Sequence, residues 1–100
     1  MKINFNVRLK NIMDKELKDQ ESKDILLYDV CTNALLFNAK DEKLEGKEKM
    51  RRFKLAHKIY GTKELVSIDV EDVALIKELV AKIYSTLITG QVWELLEKEN

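Results

Sequence analysis

A chain of 100 residues has the length of one folded domain, and 45% of its residues are apolar and 36% are charged. This apolar share is too high for a disordered chain, so we expect one globular domain over residues 1–100 with a strongly charged exterior. Basic and acidic residues both number 18, so no overall field attracts nucleic acid or an anionic membrane, and the low net charge leaves self-association open.

Cysteine usage and hydropathy suggest where the protein works. Cys31 is the only cysteine, which rules out an internal disulfide and a multi-cysteine zinc site. No uninterrupted apolar stretch resembles a signal peptide or a membrane span. We therefore expect a cytoplasmic protein that does not bind a membrane.

The N-terminal residues alternate between apolar and polar, which is the period of a strand with one buried face. The apolar members are Ile3, Phe5, Val7 and Leu9. The turn formers Asn11 and Asp14 follow, and residues 16–19 can return as a second strand. The pattern predicts a β-hairpin, and we find no internal repeat.

Two helices are predicted in the first 60 residues. Apolar residues recur at helical spacing over residues 22–40, and this helix begins either at a Ser22 cap or after a short extended stretch at residues 25–27. A charged connector leads to a second helix over about residues 47–60, which Gly61 ends. The predicted inner face of the second helix consists of Met50, Phe53, Ala56 and Tyr60.

The C-terminal part predicts one short strand and two more helices. Residues 65–68 favour a third strand beside the hairpin, and residues 70–84 form the helix that we expect to be most buried. Residues 85–90 indicate a break before a short final helix. The apolar stripe of the third helix consists of Val73, Ile76, Val80 and Ile83, widened by Leu75 and Leu79.

The predicted fold class is α+β and mostly helical. An N-terminal β-hairpin, with a third short strand as an option, packs on about four helices. The residues expected to join these layers are Phe5, Val7, Leu35, Phe53, Ile76 and Val80.

The residues that could carry chemistry have simpler structural explanations. Cys31 and His57 could form a nucleophile and base, but Cys31 lies on an apolar helical stripe where a thiol usually packs. The acidic cluster at residues 69–72 suits a helix start through capping and the helix dipole. We therefore predict no catalytic, cofactor-binding or metal-binding residue and no enzyme activity.

A basic stripe on the second helix is the first candidate contact surface. Its members, Lys47, Arg51, Lys54 and Lys58, follow one another at intervals of four, three and four residues. Such a stripe can contact an acidic protein or phosphate groups, and it can equally be a solvated outer face.

The final segment is the second candidate surface. It has more apolar side chains than one short terminal helix is expected to bury against its neighbours. Gly90 would allow another helix to approach closely. The predicted contact residues are Tyr84, Leu87, Ile88 and Trp93. In the alternative interpretation, Trp93 covers the core from its edge. A helix-turn-helix is disfavoured, because Glu94 and Glu97 would face the DNA phosphates.

The order of segments resembles that of short proteins encoded by tailed phages and prophages. The segments are KINFNVRLKNI, LYDVCTNALLFNAKDEK, KEKMRRFKLAHKIYG and ALIKELVAKIYSTLITGQVWELLE. The resemblance implies a non-enzymatic protein in a bacterial cytoplasm that binds a host or phage protein, for example as an inhibitor of a host defence system. The alternatives are a small nucleic-acid-binding regulator that uses the second helix, a virion or assembly component, and an enzyme with an unrecognised site.

Overall fold

A computed structural model describes residues 1–38 and 42–98. Its elements are β1 (Lys2–Ile3), α1 (Leu27–Leu36), α2 (Gly46–Ile59), β2 (Val66–Ser67), α3 (Val70–Ile83) and α4 (Thr86–Glu97). Helix α1 packs against both α2 and α3, and α4 packs against α3. The domain is α+β and mostly helical, which confirms the predicted fold class.

The two short strands pair with each other in an antiparallel ladder. Ile3 lies opposite Val66, and the amide of Ile68 donates to the carbonyl of Met1 at 2.8 Å. The prediction of a strand at residues 65–68 is therefore confirmed in its centre. The expected continuous strand over residues 3–9 is wrong beyond Ile3, although the alternation holds: Phe5 and Leu9 are fully buried and Val7 is partly buried.

Residues 9–25 form a closed ring of backbone hydrogen bonds. Leu17 donates to Leu9 at 2.9 Å, Ile25 donates to Leu17 at 3.1 Å, and Leu9 donates to Ile25 at 2.9 Å. The three residues stand eight positions apart, and two similar turns connect them. The predicted hairpin is the first of these turns, with Lys10 paired antiparallel to Glu16.

The two turns have the same construction. In the first, the side-chain oxygen of Asn11 accepts from two backbone amides, and in the second Asp19 does the same. Asp14 and Ser22 occupy equivalent positions with φ at 62°. Residues 9–16 (LKNIMDKE) and 17–24 (LKDQESKD) are thus two copies of one unit, so the expectation of no internal repeat was wrong.

Helix α1 starts at Leu27, the later of the two predicted starts. A carboxylate oxygen of Asp29 accepts from the amide of Leu26 at 3.0 Å and satisfies one amide at the helix start. The helix ends at Leu36, earlier than predicted, and residue 40 lies outside the described residues. Since α1 lies between α2 and α3, it is the most buried helix; the expectation that α3 holds that place was wrong.

Helix α2 is rotated relative to the prediction. Its buried residues are Arg52, Leu55, Ala56 and Ile59. Ala56 was predicted correctly, but Met50, Phe53 and Tyr60 are exposed, so Phe53 is not a core residue. The cause is Arg52, whose buried side chain donates from Nε to Glu48 at 3.1 Å and so permits an apparently polar position to face inward.

The last two helices follow the predicted pattern with two differences. Ile76 and Val80 are fully buried in α3 as expected, whereas Ile83 at its end is 37% exposed. Helix α4 begins directly after Ser85, whose Oγ accepts from the Ile88 amide, and it continues through Gly90. The predicted break over residues 85–90 is therefore confined to the junction at Ser85.

Candidate protein-binding surface

An apolar groove separates α1 from α2 on the outside of the domain, with a volume of about 340 Å³. Its walls consist of Thr32, Asn33 and Leu36 from α1 and Phe53, Ala56, His57 and Tyr60 from α2. Leu36, Phe53 and Tyr60 are 60%, 56% and 63% exposed. Large apolar side chains thus line a concave surface that remains open to solvent. We call this surface the α1–α2 groove.

Aromatic contacts hold the side chains of the α2 wall of the α1–α2 groove in place. The ring of Phe53 stacks on His57 one helical turn away, with centroids 6.1 Å apart and an interplanar angle of 18°. The ring of Tyr60 meets Tyr28 edge to face, with centroids 5.3 Å apart. These contacts restrict side-chain rotamers before any partner arrives, which lowers the entropy lost on binding.

A second hollow of about 560 Å³ continues from the groove, because Asn33 and Tyr60 line both. All three tyrosines of the chain line this hollow, and the amide of Asn33 donates to the hydroxyl of Tyr84 at 3.1 Å. Burial, together with the charge of Asp29, raises the pKa of Tyr28. The fold therefore brings Tyr84 from the predicted C-terminal surface to the edge of the α1–α2 groove.

The predicted basic stripe lies along the exposed side of α2. Arg51 differs from the three lysines in being paired, because its guanidinium donates to Asp72 of α3 at 2.8 Å and 3.2 Å. This hydrogen bond raises the pKa of Arg51. Lys47, Lys54 and Lys58 form no ion pair with residues 1–38 or 42–98. All four predicted cations are thus exposed, and three of them have no acidic partner among the described residues.

The remaining predicted contact residues of α4 do not form one patch. Leu87 and Ile88 are partly buried, and Trp93 is 40% exposed. Leu87 and Trp93 are six positions apart, so their side chains point about 120° apart around the helix. Trp93 leans on α3, where its Nε1 donates to the carbonyl of Lys77 at 3.1 Å and the Lys77 ammonium lies 5.3 Å from the ring centroid.

The candidate nucleophile and base lie in different environments. Cys31 is fully buried, and burial raises the pKa of its thiol. His57 is exposed in the α1–α2 groove against Phe53, and no hydrogen bond joins it to Cys31 within the described residues. This placement favours packing as the role of Cys31.

The acidic residues at the start of α3 have different surroundings and do not act as one group. Asp69 makes no side-chain cap hydrogen bond, Glu71 lies in the first turn, and Asp72 binds Arg51. Within residues 1–38 and 42–98, no group of three or more histidine, cysteine, aspartate or glutamate side chains could hold a metal ion.

Sequence reasoning missed the α1–α2 groove because it assigned the exposed residues of α2 to the core. The available signal was that α2 carries two apolar stripes. Met50, Phe53 and Tyr60 form one, and Leu55, Ala56 and Ile59 form the other. A single helix packed on one side can bury only one of them.

Comparisons with known proteins return no match: no protein-family model matches the chain, and neither curated proteins nor solved structures give a significant hit. None of the helices in the described parts of the chain is both long and apolar enough to span a membrane.

Proposed function

We propose that the protein is a non-enzymatic binding module that recognises another protein through the α1–α2 groove. The observation that carries this proposal is the exposure of Leu36, Phe53 and Tyr60 on one concave surface. Large apolar side chains that cluster on one concave surface are typical of interaction sites, whereas exposed apolar residues scattered singly need no partner.

The chemistry of the surface suits a protein partner. Aromatic residues are enriched in the centres of protein interfaces, where they fill pockets and exclude water. Phe53, Tyr60 and Tyr28 supply rigid rings, and the hydroxyl and amide groups of Tyr84 and Asn33 supply hydrogen bonds at the edge. The resemblance to small phage proteins favours a host or phage protein as partner, including a component of a host defence system.

Two further surfaces have supporting roles in this proposal. Lys47, Lys54 and Lys58 provide a positive rim that speeds encounter with an acidic surface, while Arg51 mainly ties α2 to α3. On α4, the exposed ring of Trp93 offers a separate contact for a partner or for self-association, on a different side of the helix from the partly buried Leu87 and Ile88.

Site-specific photo-crosslinking in the native cells tests the proposal. A photoreactive phenylalanine analogue replaces Phe53 in one variant and the exposed Glu78 of α3 in a control. We expect a discrete crosslinked protein from position 53 alone, with affinity for the purified partner reduced about tenfold or more by Phe53→Ala. Crosslinking that is absent at position 53, or equal at both positions, would contradict the proposal.

Nucleic-acid binding is the second candidate, favoured by one specific observation. The stacked pair of Phe53 and His57 stands beside Lys54 and Lys58, and exposed aromatics between cations can stack bases of a single strand. The same crosslinking experiment separates the two, because a nucleic-acid adduct at position 53 is sensitive to nuclease and a protein adduct is sensitive to protease.

A further inference from the structure

Within the described parts of the chain, the α1–α2 groove has unpaired cations near it, whereas the carboxylates of the neighbouring 560 Å³ hollow, Asp19, Asp24 and Asp29, already accept hydrogen bonds from the protein itself. None of the described residues that line the groove is acidic. Lys54 and Lys58 form a row on α2 next to the row of Phe53 and His57, one residue further along the chain. Lys49 lines an adjoining hollow of about 230 Å³ together with Leu36 and Phe53. Lys49 therefore lies beside Phe53, and Lys54 and Lys58 lie on the solvent-facing side of α2, about 100° around the helix from Phe53 and His57.

The shape of the groove suits a helix. Both walls are helices, α1 and α2, and α2 has 14 residues, which gives a length of about 21 Å. A third helix can pack its side chains between such walls, as helices do in bundles. Its apolar anchors would stand at positions i, i+3, i+4 and i+7. A peptide that adds as a β-strand would instead need an exposed sheet edge, and the β1–β2 ladder contributes no residue to the lining.

We propose that the α1–α2 groove binds an acidic amphipathic helix of a partner protein. Apolar residues of that helix cover Leu36, Phe53 and Tyr60, and its carboxylates face Lys49, Lys54 and Lys58. This inference rests on the proposed function and specifies the chemistry of the partner.

A second copy of the chain fits the α1–α2 groove poorly. Among residues 1–38 and 42–98, the most exposed apolar segment is the turn with Ile12, 87% exposed, and Met13, but Lys10 and Lys15 flank it and would repel the lysines near the groove. Helix α4 carries the acidic residues Glu94 and Glu97, yet its apolar side is already buried, with Val92 and Leu96 fully covered. The complementary helix therefore belongs to another protein.

The test uses two matched fluorescent peptides with about the length of α2. Both have leucine at helical spacing, and the remaining positions are mainly glutamate in one and mainly lysine in the other. Fluorescence anisotropy with the full-length protein should show saturable binding of the glutamate peptide and none of the lysine peptide.

Three variants locate the binding site. Phe53→Ser and the double substitution Lys54→Glu with Lys58→Glu should each weaken binding of the glutamate peptide by about tenfold or more, and salt should weaken wild-type binding more than binding to the double variant. The control Lys82→Glu changes an exposed lysine on α3 and should leave binding unchanged. Circular dichroism verifies that each variant is folded.

Several outcomes would overturn the inference. They are failure of the glutamate peptide to bind, equal binding of both peptides, unchanged binding by Phe53→Ser, and Phe53-dependent binding of an oligothymidylate in place of the peptide. If the glutamate peptide fails while photo-crosslinking at position 53 captures a protein, the acidic helix is wrong and the proposed function stands. If the peptide binds and crosslinking captures no protein, the proposed function fails by itself.

Discussion

Gly61 and Gly90 have different backbone requirements although both have room for a side chain. Gly61 follows α2 with φ at 72°, whereas Gly90 lies inside α4, and an added Cβ would meet no atom within 4 Å at either position. Gly61→Ala should lower the free energy of unfolding by about 1 kcal/mol, because the left-handed conformation strains L-residues. Gly90→Ala should raise it by about 0.5–1 kcal/mol, since glycine weakens a helix interior. Urea denaturation measures both, and changes of the same sign would contradict this account.

The thiol of Cys31 should be chemically inert in the native protein. It is fully buried, and burial raises its pKa, so little thiolate forms and reagents cannot reach it. We expect slow alkylation by iodoacetamide in buffer and fast alkylation in denaturant. Because the folded pKa lies above the unfolded one, the thiol stabilises the fold below the ordinary thiol pKa of about 9, and this contribution declines as pH rises further. Rapid native alkylation would instead indicate an accessible, reactive cysteine.

The roles of some residues could be predicted from the chemistry of the residue and its neighbours in the sequence, whereas the roles of others depend on contacts formed only in the fold. The roles of Gly61 and Cys31 follow from glycine's conformational freedom and from the apolar stripe around the thiol, and the structure places both as expected. Asp14 and Ser22 are different, since their left-handed conformations serve a ring that closes between residues 9 and 25. Only the eight-residue recurrence of leucine, lysine and Asn or Asp in residues 9–11 and 17–19 signals that ring.

The two turns of the backbone ring over residues 9–25 have the same construction, so their contributions to stability can be compared directly. Asn11 and Asp19 each accept two backbone amides through one side-chain oxygen. Asn11→Ala and Asp19→Ala should each lower the free energy of unfolding by about 1 kcal/mol, because both amides lose a protein acceptor near the surface. Chemical denaturation of the two variants checks the equivalence, and a large loss at one turn with none at the other would show that the repeat is not energetically equivalent.

The rotation of α2 makes opposite predictions for neighbouring side chains. Leu55 is 5% exposed and Phe53 is 56% exposed. Leu55→Ala should lower the free energy of unfolding by about 2–5 kcal/mol, as for other buried leucines. Phe53→Ala should change it by about 0.5 kcal/mol or less, the range typical of exposed positions. Thermal and urea denaturation distinguish the two faces, and a larger loss at Phe53 would restore the face that periodicity first indicated.

Periodicity predicted the inner face of α3 but not that of α2, for a physical reason. Val73, Ile76 and Val80 form one strong stripe with no competitor, so burial follows directly from spacing. In α2 the more aromatic stripe is outside and the Arg52 side chain is buried, with its Nε donating to Glu48 and its guanidinium also paired with Glu42 at 3.7 Å. The α1–α2 groove escaped prediction for the same reason, since it consists of side chains that hydropathy assigns to a core.

At the scale of the whole molecule, the two candidate surfaces are separate. The helices follow one another in space as α2, α1, α3 and α4, so the α1–α2 groove and the exposed side of α4 do not share an element. Partner binding at the groove therefore leaves Trp93 free for a second contact. A net charge of zero means that no long-range repulsion keeps copies of the protein apart.

The exposed ring of Trp93 on α4 predicts that the protein associates with copies of itself. Trp93 is a large ring, 40% exposed, beside an uncovered glycine at position 90, and such a ring can anchor a second copy. We expect the mass of the wild-type protein to rise with concentration in sedimentation velocity. Trp93→Ala should abolish this rise while the monomer stays folded, at a cost of about 1–2 kcal/mol, since a half-exposed ring contributes less than a buried one. Phe53→Ala is the control and should keep the wild-type behaviour, because the groove it alters lies on another part of the fold. A wild-type protein that is monomeric at every concentration, or a Trp93→Ala variant that unfolds outright, would assign Trp93 to the edge of the core.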